Sequence, residues 1–562
     1  MAFDGIVTKS IISELNTILI GAKVNKVLQP TKTEIVLELY NNGKNYSLLL
    51  SCDAEFCRIG LTNHSKPNPQ NALNFCMLLR KYLVGGKILE ISNYDFERTV
   101  LIKFSCYNEL NDLVTRKLFI EIMSRQSNII LTNENNIIID SIKHFDTNTR
   151  EMLPAHEYEF VPITKKSFLS INNSSEFIEL INNEKTNLSK SIPNLFIGFS
   201  KTLVKYFLQK LNINDTNYNN NELENLFNEL STLLNNIGTK EISCTQFGND
   251  FTLANRPTNV ELQINNFIDE YYFSKEVTTN FQSARNNLLH IVLASLKKIT
   301  KKLENINQKL KECSEMDTYK LYGELLTANL YRINSNLNLD KIELENYYDN
   351  NKLITIPLDK SISVQKNINK FFKKYNKLKN ALGIVSQQKK ETEKELDYIE
   401  SIVFSLENAR SLKDINEVYE EISENIVTKK AITNKRKTKI KKNNSEHELT
   451  SVEYNGFTIY VGKNNIQNDY LRTKVASPND VWFHAQKIHG SHIILKNPQN
   501  LDIDEIPEDV LFECAKLAKN NCKAELSLNV PIDYCFVKFV KKAPNAKPGM
   551  VIYSNFQTII VK

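Results

Sequence analysis

The chain has 562 residues, with 71 Lys+Arg against 65 Asp+Glu and a formal net charge of +6. That length predicts about three or four folded units rather than one body, and so small an excess of charge excludes a general polycation, leaving local clusters to supply any nucleic-acid surface. Nine cysteines scattered from Cys52 to Cys535 without a C-x-x-C pair predict buried reduced thiols in a cytoplasmic protein, and neither a signal-peptide pattern nor an apolar run of bilayer length is present.

Ile6, Val7, Ile11, Ile12, Leu15, Ile18 and Leu19 recur at helical spacing, which predicts an amphipathic opening helix capped by Asp4. Strand-like segments follow at Lys23–Gln29, Glu34–Tyr40, Tyr46–Ser51, Lys87–Ser92, Thr99–Ser105, Lys117–Met123 and Asn128–Thr132. They define a mixed domain over residues 1–165. Residues 166–270 read as mainly helical, and Ile192–Phe207 sets a Gly-centred turn before a helix. A helix-hairpin-helix turn of this kind can offer backbone N–H groups to a phosphate, and an ordinary helix junction fits the same residues.

Leu289, Val292, Leu296, Ile299, Leu303, Ile306 and Leu310 step by threes and fours. Phe371, Tyr375, Leu378, Leu382 and Val385, resuming at Leu396, Ile399, Val403 and Leu406, form a second seam. Between them a helical Gly323–Tyr331 and a hairpin around Asp349-Asn350-Asn351 turn the chain back. A long antiparallel coiled coil with a tip, residues 271–425, is the simplest arrangement; a helical bundle or a parallel dimer is the alternative.

Lys429, Lys430, Lys435, Arg436, Lys437, Lys439, Lys441 and Lys442 mark a basic linker over residues 426–450. Residues 451–562 then return to α+β patterning. A hairpin across Asn455-Gly456 is followed by a helix near Asn464–Leu471, strands Val481–Ala485 and Ser491–Lys496, and a helix Glu508–Asn521. Strands Tyr534–Val540, Met550–Tyr553 and Thr558–Val561 close the chain.

Chemistry-bearing residues concentrate in that last domain. Trp482, the single tryptophan, stands with Phe483, His484, His489 and His492 in D-V-W-F-H-A-Q-K-I-H-G-S-H-I-I-L. Such rings stack on bases or fill a core, and the residues alone favour neither. Ser491, His492 and Asp480 supply the groups of a hydrolytic triad, but no G-x-S-x-G elbow surrounds Ser491, and strand geometry sets it opposite His492. A zinc site at His484, His489 and His492 lacks ligand spacing. Asn464, Asn465, Asn468 and Asp469, at i, i+4 spacing, can offer amides to a sugar-phosphate backbone or simply cap a helix. Lys541, Lys542 and Lys547, among Pro544, Pro548 and Gly549, read as a rigid basic loop, with Lys474 a further cation. Near the amino terminus, Asp4, the pair Glu97-Arg98, and Met123–Leu131 stand out. A carboxylate beside a guanidinium can orient it toward a phosphate or ribose, or form an ordinary surface pair.

In order along the chain, F-D-G-I-V-T, Glu97-Arg98, M-S-R-Q-S-N-I-I-L, G-E-L-L-T-A-N-L, Q-K-N-I-N-K-F-F-K-K-Y, the Trp482 segment and K-K-A-P-N-A-K-P-G-M-V-I-Y resemble the RqcH/NEMF proteins of ribosome-associated quality control. Many bacterial members carry the older label fibronectin-binding protein. The resemblance implies a multidomain α+β fold: an N-terminal mixed α/β NFACT domain, a helix-hairpin-helix domain, an antiparallel coiled coil and a C-terminal NFACT RNA-binding domain. It implies binding to large (50S) ribosomal subunits carrying peptidyl-tRNA, recruitment of alanyl-tRNA, and template-free alanine tailing that marks the nascent chain for degradation. A small RNA-binding quality-control protein is an expected further partner; no membrane, metal or cofactor is expected. Peptide-bond formation would belong to the ribosome, so no catalytic residue is expected and the chain would not itself be an enzyme.

The resemblance assigns tRNA binding to Asp4, Glu97, Arg98, Arg125, Ser127 and Asn128. Glu97 stands where the family has Asp, and Gln126 where its G-R-H-S-N has His. It assigns RNA binding in the last domain to Asn464, Asn465, Asn468, Asp469, Lys474, Trp482, His484, His492, Lys541, Lys542 and Lys547. Two other classes compete. A fibronectin-binding surface adhesin would be separated by proteolysis of intact cells. A DNA glycosylase of the formamidopyrimidine type would need an N-terminal proline, where loss of Met1 leaves Ala2.

Overall fold

The computed structural model describes residues 3–147, 150–184, 186–333, 339–425, 449–542, 544 and 546–562, so the basic linker at 426–450 lies almost wholly outside the described residues. Two compact units result, Met1–Thr278 and Thr279–Lys562.

In the first unit the helix Gly5–Leu19 forms as expected, with the Asp4 side chain accepting from the Val7 N–H at 2.9 Å. Its apolar face lies in the main core, together with residues of a nine-stranded antiparallel sheet. That sheet is two meanders joined edge to edge. Strands Arg58–Leu61, Lys44–Ser51, Glu34–Asn41 and Lys23–Thr31 run up to Lys87–Asn93, and Thr99–Tyr107, Leu113–Glu121, Asn128–Thr132 and Ile138–Ser141 follow in chain order. The expected strand Lys117–Met123 instead ends at Glu121, beyond which the Ile122 N–H donates to the Arg98 carbonyl at 3.0 Å.

Residues after Phe168 are helical, at Ser174–Asn183, Leu188–Leu195, Lys201–Lys210 and Asn220–Asn235, and close with an unforeseen hairpin, Ile242–Phe247 with Asp250–Asn255. The Gly-centred turn is present, but the Gly198 carbonyl accepts from Gly5 N at 3.1 Å, so this turn docks the opening helix. A Cβ on Gly5 would lie 1.8 Å from the Phe96 carbonyl oxygen, and one on Gly198 2.4 Å from the Phe96 Cβ. Two glycines thus make the space into which the Phe96-Glu97-Arg98 loop fits.

A helix Gln263–Ser314 begins in this unit. Its first turns are bolted to the short edge strand: Asn265 Oδ1 accepts from Leu61 N at 2.6 Å, and Glu276 pairs with Arg58 at 2.6 Å and with Lys66.

In the second unit that helix faces the helix Val364–Asn408. Leu288, Val292 and Ile299 share a cluster with Tyr398, Ile399, Ile402 and Leu406. The pairing is antiparallel here, since Arg285 donates to the Leu406 carbonyl while Lys302 pairs with Glu395. The helix Met316–Ala328 and the hairpin Lys341–Asn346/Lys352–Pro357 pack around Leu325, Leu326, Ile356 and Ile368. After the second rod helix, Leu412–Asn425 forms a separate latch helix, where the sequence had suggested a continuous arm.

The last domain is a six-stranded sheet. Its opening hairpin turns at Asn455 and Gly456, both with positive φ (46° and 79°), as expected of a two-residue turn. Strand Val481–Ala485 is as read; Ser491–Lys496 shortens to Ile493–Leu495, and Tyr534–Val540 moves to Val530–Phe536. Helix Glu508–Asn520 covers one face.

All nine cysteines are free and buried. Among the described residues no helix is long and apolar enough to cross a membrane, and no three His, Cys, Asp or Glu side chains gather as a metal set.

Candidate nucleic-acid interfaces

The N-terminal candidates divide by depth. Glu97 and Arg98 sit half-buried in the loop before strand Thr99–Tyr107, and Arg125 is exposed on a single 3-10 turn. Asp4 lies beneath them, bonded to Ser200 and to the Val7 N–H. Burial pushes its carboxyl up to about 6, against the lowering pull of those bonds and of the Arg98 charge. Ser127 and Asn128 are fully buried, which corrects their assignment to a contact surface. Ser127 Oγ accepts from the Met123 N–H at 2.7 Å, and Asn128 Nδ2 donates to the Lys143 carbonyl at 2.9 Å. They shape the loop that presents Arg125.

In the last domain the strand alternation of Val481–Ala485 sends neighbouring rings to opposite faces, yet both are buried. Phe483 joins the core beneath helix Glu508–Asn520, and Trp482 joins a second core with Leu471, Ile494, Cys535 and Val540. Trp482 is 0% exposed, so it is no stacking platform. His492 lies behind it at a ring distance of 5.3 Å and is likewise buried; His484 is partly open. Burial drives the His484 pKa down to about 4 and lowers that of His492 well below its ordinary value, so both rings are neutral near pH 7. Asp480 is engaged by Lys496 at 2.6 Å and by the Asn497 N–H, so it orients no histidine.

The amide cluster is the larger correction. Asn464 caps the helix Asn465–Tyr470, accepting from the Gln467 N–H, and its Nδ2 donates to Glu417 at 2.6 Å; Gln467 donates to the same oxygen at 2.8 Å. Asn465 donates to Glu421 and to Ser401, each at 2.9 Å. Asn468 accepts from the His492 N–H at 3.0 Å. Asn464 and Asn465 are buried against the latch helix and the second rod helix, and Asn468 against the His492 backbone of its own domain, where the sequence had suggested an open face toward phosphates.

Glu417 and Glu421 were missed as site residues. Desolvation raises the Glu421 carboxyl to about 7, only partly offset by the Asn465 and Tyr398 hydrogen bonds. The signal was present: Asp414, Glu417 and Glu421 repeat at three and four residues beside an Ile415, Val418, Ile422 stripe.

Lys474, Lys541, Lys542 and Lys547 are exposed, as a phosphate-facing set requires. Lys542 also pairs with half-buried Asp469 at 2.5 Å, and Lys547 lies 5.7 Å from the Tyr398 ring centre. The domain can therefore meet nucleic acid through surface cations and a partly open histidine cleft.

Residues 4–442 match the model of the NFACT N-terminal and middle domains, and residues 448–555 match that of the NFACT protein RNA-binding domain. The chain belongs to the NFACT proteins of the RqcH/NEMF family. It is 32% identical over 577 aligned residues to the Rqc2 homolog RqcH of Bacillus subtilis (strain 168), covering 100% of this chain and 98% of that one. It is 31% identical to the Rqc2 homolog RqcH of Streptococcus pneumoniae serotype 2, again covering 100% and 98%. Among solved structures, the N-terminal part of the fibronectin/fibrinogen-binding protein from Streptococcus suis is 27% identical and covers 49% of this chain and 100% of its own. Its TM-score is 0.40.

Proposed function

We propose that this chain is a cytoplasmic ribosome quality-control factor. It binds large (50S) ribosomal subunits that carry peptidyl-tRNA, recruits alanyl-tRNA, and directs template-free alanine tailing that marks the unfinished chain for degradation. The observation that carries the reading is end-to-end similarity to RqcH proteins together with an NFACT RNA-binding domain. The Asp4, Glu97, Arg98 and Arg125 region takes the tRNA, and the exposed lysines of the last domain take RNA phosphates. The chain's part is to position tRNA and reduce its entropy, while the ribosome forms the peptide bond. It carries no nucleophile of its own and works beside a small RNA-binding partner protein.

Sequencing the RNA that co-purifies with the protein tests this directly, with large-subunit rRNA and alanine tRNA expected. Arg98→Ala is expected to abolish tail addition while leaving subunit binding intact. Tails made at the normal rate by that variant would remove Arg98 from the mechanism, and absence of large subunits from the purified material would end the reading.

A further inference from the structure

We propose that the cleft beneath His484 and His492 receives one unpaired RNA base, whose flanking phosphates run over the neighbouring lysines of the rod helices. The proposal rests on the RNA-binding reading above and adds to it which part of the RNA is read, and where.

Two adjoining cavities carry it. One, of about 410 Å³, is lined by His484, His492, Asn468, Tyr398, Tyr553 and Gly549. The other, of about 880 Å³, is lined by Lys298, Lys302, Lys394 and Lys547. They share Tyr398, Met550 and Val551 as a common wall, so one ligand can occupy both. Either volume suits a small organic group.

The chemistry of the two differs. His492 is buried and its Nδ1 finds no hydrogen-bond partner, a cost that a ligand would relieve. A neutral imidazole offers one donor and one acceptor, which matches the edge of a base better than a phosphate. The rim of the first cavity is mixed in charge, with Asp397 3.5 Å from His489 and Lys463 and Lys487 in the same lining, so it is less cationic than the second. The second cavity is cationic on balance, its four lysines facing Glu391 and Glu395, with Lys302 paired to Glu395 at 3.3 Å. An uncharged base in the first and phosphates along the second is the arrangement that satisfies both. Base reading thus falls to His492, the buried Trp482 being out of reach.

The test uses the full chain and three labelled RNA hairpins: one with a single bulged adenosine, the same hairpin with an abasic residue at the bulge, and a fully paired hairpin. The bulged adenosine is expected to bind about tenfold tighter than the other two. His492→Phe, which keeps a ring in the core, is expected to abolish the preference, so that the three hairpins bind equally. Lys298→Ala with Lys394→Ala is expected to weaken all three alike and to reduce the salt dependence. Should the phenylalanine variant fail to fold, the three-hairpin comparison on the unaltered chain still decides. Equal binding of the three by the unaltered chain overturns the proposal, as does an adenosine preference that survives His492→Phe. If large subunits are bound but no hairpin is, the proposal fails and the quality-control reading stands; if neither is bound, both fall.

Discussion

The root of the first rod helix and the latch helix Leu412–Asn425 are both fastened by carboxylates, in different ways. Glu276 meets the guanidinium of Arg58, with both side chains about 5% exposed, and the ammonium of Lys66. Glu417 and Glu421 receive hydrogen bonds from the amides of Asn464, Gln467 and Asn465 and from the Tyr398 hydroxyl. An ion pair in a dry site is costly to break from one side, because the remaining charge is stranded. Neutral donors favour the carboxylate but bring no opposite charge, so burial prevails at Glu421, its pKa rises and the second fastening responds to protons.

The largest effect expected from probing this contrast is at the ion pair. Glu276→Ala strands Arg58 and should cost about 3–5 kcal/mol of stability, read by chemical denaturation; a loss below about 1 kcal/mol would mean that the pair is solvated. Next, Glu417→Ala removes one acceptor shared by two amides. A cost of about 1–3 kcal/mol should appear as faster amide hydrogen exchange across Leu412–Asn425, with the nine-stranded sheet unaffected.

Smaller again is the effect of pH. The Glu421 carboxyl is raised from 4.5 to about 7 in the folded chain, so the folded state binds the proton more tightly than the unfolded one. Stability from this group is therefore present below about pH 4.5 and lost as pH rises to about 7. Asp469 adds to the raising of this pKa and Lys542 opposes it. Glu421→Gln should flatten latch exchange across that window, and an unchanged slope would place the titration elsewhere. Smallest is Lys302→Ala, which breaks an exposed pair with Glu395 and should move stability by less than about 0.5 kcal/mol.

What the sequence disclosed follows from the range of the forces involved. The Asp4 cap, the Asn455-Gly456 turn, the hairpin at Asn350-Asn351 and strands such as Asn128–Thr132 depend on neighbours a few residues away, and the patterning reports them. Depth does not work that way. Trp482 is buried because a loop some seventy residues later brings Val551 and Tyr553 across the sheet. The asparagines at 464 and 465 are closed off by a helix some forty residues earlier. Their polarity suggested a ligand, and their partners proved to be in the same chain. Conversely, Glu417 and Glu421 show only a helical spacing in the sequence, and the amides opposite them give them their role.

Trp482 has one more consequence. As the sole indole, fully enclosed between sheet and closing loop, it is a built-in optical reporter for the last domain. Selective excitation follows the melting of that domain, while far-ultraviolet dichroism follows the whole chain, so a single sample can separate the unfolding of one end from that of the other without any label.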